Sequence, residues 1–74
     1  MIFFDWHKEG EMHIGVSRSA TPIRIEIYLD LNLGEYEYRI TNDGAVICSS
    51  IAPYSSVEEA KRVAMSVISL RFAF

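Results

Sequence analysis

Aliphatic residues alternate without a break from Ile23 to Leu33, in the run I-R-I-E-I-Y-L-D-L-N-L. Side chains on a strand point to opposite faces with period two. Ile23, Ile25, Ile27, Leu29, Leu31 and Leu33 therefore form one apolar face, and Arg24, Glu26, Tyr28, Asp30 and Asn32 form the other. The pattern predicts a long antiparallel strand with one buried side.

The flanking segments extend the same reading. Ile2, Phe4 and Trp6 share one face of a first strand, and Met12, Ile14 and Val16 share one face of a second. Lys8-Glu9-Gly10 predicts a three-residue hairpin loop between them, with Gly10 in the left-handed conformation. That loop sets Trp6 across from Met12, Phe4 from Ile14 and Ile2 from Val16, and lays Phe3 over Gly15. Pro22 suits the start of the third strand, since it has no amide hydrogen to leave unpaired. A two-residue turn at Gly34-Glu35 then pairs Leu33 with Tyr36, Leu31 with Tyr38 and Leu29 with Ile40, and opposes Asp30 to Arg39 on the outer face. The fourth strand runs from Tyr36 to Thr41, and Asn42-Asp43-Gly44 leads into a fifth from Ala45 to Ser50 through a loop of two or three residues.

After Pro53-Tyr54 the period changes. Ser56 followed by Glu59 is a capping-box signature, with Ser55 and Glu58 as the competing register. Val57, Ala60, Val63, Ala64, Val67, Ile68 and Leu70 make a helical stripe, and Glu58 with Arg62 an i,i+4 ion pair. The helix is expected from about Val57 to Arg71. The fold class that results is α+β, a five-stranded antiparallel meander (β-β-β-β-β-α) with one C-terminal helix on one face, in a single domain over residues 1–74.

Composition sharpens this picture. The chain has 74 residues, half of them hydrophobic, with one cysteine and a mean hydropathy of +0.13. A domain this small buries only about 60% of its unfolded surface, and one helix about 10 Å wide cannot cover the apolar face of five strands spaced about 4.8 Å apart. A second copy of the chain is the simplest cover, so the chain is expected to be a homodimer rather than a monomer at micromolar concentration. The net charge of −3, with basic residues scattered apart from Lys61-Arg62, disfavours direct nucleic-acid binding. No apolar run approaches the ~18 residues of a membrane span, and no signal-peptide pattern opens the chain, so a cytoplasmic location without membrane attachment is expected.

Residues 25–69 resemble the YegP-like family of small uncharacterised domains. The likeness is carried by I-E-I-Y at Ile25–Tyr28, G-E-Y-E-Y-R-I at Gly34–Ile40, N-D-G-A-V-I-C-S-S at Asn42–Ser50 and Y-S-S-V-E-E-A at Tyr54–Ala60. It implies a strand, hairpin, strand, helix unit and, because that family's activity is unassigned, no enzymatic site. A looser likeness to HicB-type antitoxin domains rests on a similar strand order and helix opening.

Candidate chemistry is sparse. In the predicted register, Asp5 faces His13 and His7 faces Glu11, a set that either binds a divalent metal or forms two exposed opposite-charge pairs strengthened by His protonation below about pH 6.5. The second reading is preferred, since nothing encloses the site, and no metal, cofactor or catalytic residue is assigned. Cys48 reads as a small packed residue rather than a nucleophile. Phe3 and Tyr28 together with Phe72 and Phe74 are the candidate interaction residues, with Asp30 and Glu37 supplying acidic character. These features favour a small non-enzymatic module that self-associates and binds another protein. An alternative is an anti-CRISPR-like inhibitor of host defence, whose acidic face occupies the channel of a nucleic-acid-binding protein.

Overall fold

The structure, a computed structural model, describes residues 3–20 and 22–72. The fold is α+β. Strands β1 (Phe4–Glu9), β2 (Met12–Ser17), β3 (Ile23–Asp30), β4 (Glu35–Asn42) and β5 (Ala45–Ser49) form one antiparallel sheet, and helix α1 (Val57–Phe72) follows. The strands lie in chain order, a meander with β1 and β5 at the edges.

Helix α1 crosses the face formed by Ile23, Ile25 and Ile27 of β3 and Tyr38 and Ile40 of β4, against which it buries Ala60, Ala64 and Ile68. The small alanines let the helix backbone approach the sheet closely. Val57, Val63, Met65 and Val67 pack at the margin, whereas Leu70, expected in the stripe, is 85% exposed. Ser56 is the N-cap, its Oγ accepting a hydrogen bond from the Glu59 amide at 3.1 Å. Glu58 and Glu59 in the first turn and Arg71 in the last complement the helix dipole. Glu58 pairs with Lys61 at 3.8 Å rather than with Arg62.

The registers differ from those predicted in two hairpins. In the first, Glu9 faces Met12, His7 faces Ile14 and Trp6 faces Gly15. The loop is therefore two residues, Gly10-Glu11, with Gly10 at φ +63° in the first position, as a type II′ turn requires. The odd slip puts Phe4 and Trp6 on the helix side with His13 and Gly15, and turns Met12, Ile14 and Val16 to the outer face. Trp6 rather than Phe3 covers Gly15: a Cβ there would lie 2.8 Å from three atoms of the indole.

In the second hairpin, β3 ends at Asp30, which pairs with Glu35 instead of Arg39. Asp30 Oδ1 accepts hydrogen bonds from the amides of Asn32 and Leu33 at 2.9 and 3.3 Å, and the Asp30 carbonyl accepts from Gly34 at 2.8 Å. An aspartate that captures the amides after it ends a strand, so Leu31 and Leu33 lie exposed in the loop at 86% and 57%.

The last hairpin takes the two-residue loop of its two open readings and then shifts register at a bulge. Asn42 faces Ala45 across a two-residue Asp43-Gly44 turn, and after a bulge Ile40 faces Cys48. Asp43 and Gly44 have φ of 53° and 82°, the pair of positive values that defines a type I′ turn. The extra residue, Ile47, and Cys48 both pack against the core.

Candidate functional site

The face of the sheet opposite α1 carries the polar residues of β3 and β4 in facing rows: Arg24 with Thr41, Glu26 with Arg39, Tyr28 with Glu37 and Asp30 with Glu35. β2 adds Ile14 beside Glu26 and Val16 beside Arg24. Ile14 is fully buried, so this face has its own aliphatic strip.

Glu26 organises one end. Its side chain is only 11% exposed and bonds both arginines. Arg24 Nε–H donates to Oε2 at 3.0 Å, Arg39 Nε–H to Oε1 at 2.7 Å, and Arg39 Nη2 lies 2.6 Å from Oε1. Burial pushes the Glu26 carboxyl upward, but the hydrogen bonds and charges of Arg39 and Arg24 outweigh it and hold it below its ordinary range. Arg39 also lies over the Tyr28 ring, 5.8 Å from its centroid. Two guanidiniums offer ten N–H donors, more than one carboxylate can accept, and this end carries net positive charge. Beside it, Arg24, Glu26, Arg39, Thr41, Gly44 and Val46 line an open depression of about 440 Å³.

The other end is acidic. Asp30, Glu35 and Glu37 lie on adjacent rows. Burial raises the Glu37 carboxyl above its ordinary value, helped by a hydrogen bond with Asp30 and by that neighbour's charge.

Of the residues expected to mediate interaction, Tyr28, Asp30 and Glu37 share this face. Phe3 is 62% exposed but leads into β1 beside Arg18, whose amide donates to its carbonyl; it lies toward the opposite end of the strands from Tyr28. Phe72 closes the helix with its side chain outside the described residues, as is all of Phe74. Arg24, Glu26 and Arg39 were missed because their significance lies in their cross-strand contact. The R-I-E spacing of Arg24 and Glu26 within one strand was the available signal.

The charged set proposed for the first hairpin is not assembled. Asp5 faces Val16 and binds Arg18, with Arg18 Nη2 donating at 2.6 Å, and His7 Nε2 meets Glu9 Oε2 at 2.8 Å. His13 is on the other face, under the helix. Among the described residues, no group of three or more His, Cys, Asp or Glu side chains is placed to hold a metal ion, and no helix is long and apolar enough to cross a membrane. Cys48 is half-buried on the helix side.

The placement of His13 reverses the pH expectation. Burial lowers its pKa from 6.5, as do Lys8 and Lys61, against smaller opposing effects of Glu58 and Glu11. The unfolded chain then binds more protons, so stability is present above the ordinary imidazole pKa and is lost as pH falls through it. Urea midpoints from about pH 8 to about pH 5 should show this loss, under about 1 kcal/mol for a half-exposed ring. His13→Asn should flatten the slope; an unchanged slope would assign the effect elsewhere.

No protein-family model matches the chain, and neither the curated proteins nor the solved structures include a significantly similar one.

Proposed function

We propose that the chain is a small non-enzymatic protein-interaction module that self-associates and binds another protein by accepting an added strand along β5. The observation that carries this reading is the contrast between the two edges of the sheet. β1 bears Asp5, His7, Lys8 and Glu9, the charges that blunt edge pairing. β5 reads Ala-Val-Ile-Cys-Ser without charge or proline, and Val46 on it is 57% exposed. Away from the bulged Ile47, whose carbonyl accepts from Arg71 Nη1 at 3.4 Å, an edge without charges of its own offers main-chain hydrogen bonds to an extended segment of another protein. The order β3-β4-β5-α1 over residues 25–69 also agrees with the strand, hairpin, strand, helix unit of the YegP-like resemblance.

The edge can be tested through one residue. The Ser50 amide donates to the Tyr38 carbonyl at 2.9 Å, so backbone groups of the preceding residue, Ser49, face away from β4. Ser49→Pro removes an outward donor and spares the ladder within the sheet. Peptides selected from a displayed library against the chain should be extended and rich in β-branched residues. They should lose about tenfold or more in affinity for Ser49→Pro, with chain stability unchanged within about 0.5 kcal/mol. Equal binding to both proteins, or failure to select any peptide, would count against this reading.

A further inference from the structure

The outer face carries both signs of charge, sorted to opposite ends. Arg24 and Arg39 with Glu26, beside the mutually neutralising pair of Asp5 and Arg18, stand at one end, and Asp30, Glu35 and Glu37 at the other. Arg24 and Asp30 are six steps apart along β3, about 20 Å at the rise of an extended strand. Tyr28 lies between the ends, and the aliphatic Ile14 and Val16 of β2 flank Glu26 and Arg24.

A two-fold axis lying in the plane of a face-to-face contact, across the strands, brings each end of one copy over the opposite end of the other. Such isologous interfaces require a surface complementary to itself, and a face with cations at one end and carboxylates at the other meets that requirement. A face of one sign would repel its own copy.

We infer that a second copy of this chain packs on the outer face about such an axis, near the rows of Glu26 and Tyr28, so that Asp30, Glu35 and Glu37 of each copy meet Arg24 and Arg39 of the other. The assignment rests on the reading of the chain as self-associating and goes beyond it by naming the surface. The depression beside Arg24 and Arg39 receives an incoming carboxylate, and Glu26 keeps the two guanidiniums from repelling one another. Tyr28 from each copy lies close to the axis. Helix α1 and edge β5 stay free, so strand addition and self-association use different surfaces.

The test is light scattering after size exclusion of the full chain and two charge reversals, at about 0.05 M and about 1 M salt, where the Debye length falls to about 3 Å. Arg24→Glu is chosen because it leaves Arg39 on Glu26 and over Tyr28; Glu37→Arg reverses the other end. The wild-type chain should be dimeric in low salt and dissociate in high salt. Each reversal alone should weaken self-association about tenfold or more, because like charges then meet twice across the axis. An equimolar mixture of the two should recover part of the association as a heterodimer, because one of its two contacts joins the unaltered basic end of one variant to the unaltered acidic end of the other. Circular dichroism checks that each variant is folded. Should Arg24→Glu fail to fold, Arg24→Gln with Glu37→Gln takes its place, and a weakened salt dependence is expected.

A dimer indifferent to salt and to both reversals would overturn the face assignment and leave self-association standing. Its loss in Ser49→Pro would then place the second copy on β5. A monomer at every salt and at micromolar concentration would overturn the self-association reading as well.

Discussion

Replacing Ile25 by alanine should bring the chain to the edge of unfolding at room temperature. Ile25 is fully buried, lies between Gly15 of β2 and Ile40 of β4, and belongs to the cluster under Ala60, Ala64 and Ile68. A large-to-small change at such a site removes the transfer free energy of the lost carbons and leaves a cavity, about 2–5 kcal/mol in all. The site has little means of collapsing, because its helix neighbours Ala60 and Ala64 are already small and Gly15 has no side chain to move in. A 74-residue chain at about 0.05–0.15 kcal/mol per residue has about 4–11 kcal/mol to lose. The urea midpoint of Ile25→Ala should fall by half or more, and Ile25→Val should lose only about 1 kcal/mol. An Ile25→Ala midpoint close to wild type would mean that the packing under the helix is not as described.

The second large effect is expected at Gly15. Its backbone is not in the left-handed region, so alanine is conformationally acceptable there; the obstacle is the Trp6 indole, whose Cε2, Cζ2 and Cη2 would lie 2.8 Å from the new Cβ. The ring must move, and it is hemmed in by Phe4, with ring centroids 6.3 Å apart, and by the Lys61 ammonium over it, 4.6 Å from its centroid. Gly15→Ala should therefore cost about 1–3 kcal/mol, as overpacking does, and shift the emission of the chain's one tryptophan to the red. In a Trp6→Ala background the same change should cost nothing or stabilise slightly, since glycine within a strand is disfavoured by about 0.5–1 kcal/mol. The double-mutant cycle isolates the contact; additive losses would show that the ring does not rest on Gly15.

The two hairpins that departed from prediction show how far the pattern reaches. Between β3 and β4 the register is displaced by four residues, an even number, so Ile25, Ile27, Tyr38 and Ile40 still face the helix as their alternation implies. Between β1 and β2 the displacement is odd. Met12, Ile14 and Val16 consequently share the outer face, and His13 joins Trp6 beneath the helix. Local signals with their own hydrogen-bond logic were readable: Ser56 as the cap, Asp43-Gly44 as a turn, and Ala60, Ala64 and Ile68 as the buried stripe. The candidate site was not readable, because it depends on which residues become cross-strand neighbours. Glu26 meets Arg39, thirteen residues away, and Asp30 lies beside Glu35 and Glu37 only in the adopted register.

The sequence by itself determined the elements, their order and the inward face of the central strands. Those follow from periods of two and 3.6 residues and from capping and turn chemistry, which act over a few neighbours. Only the tertiary structure decided the registers, and with them the placement of Trp6 over Gly15, the side on which His13 lies and the separation of charge along the outer face. Period-two alternation is unchanged by any even slip, so it can assign a face without choosing a partner. That choice was made by contacts between segments: an indole that fits over a bare glycine, an aspartate that captures the amides after it, and two arginines that share one buried carboxylate.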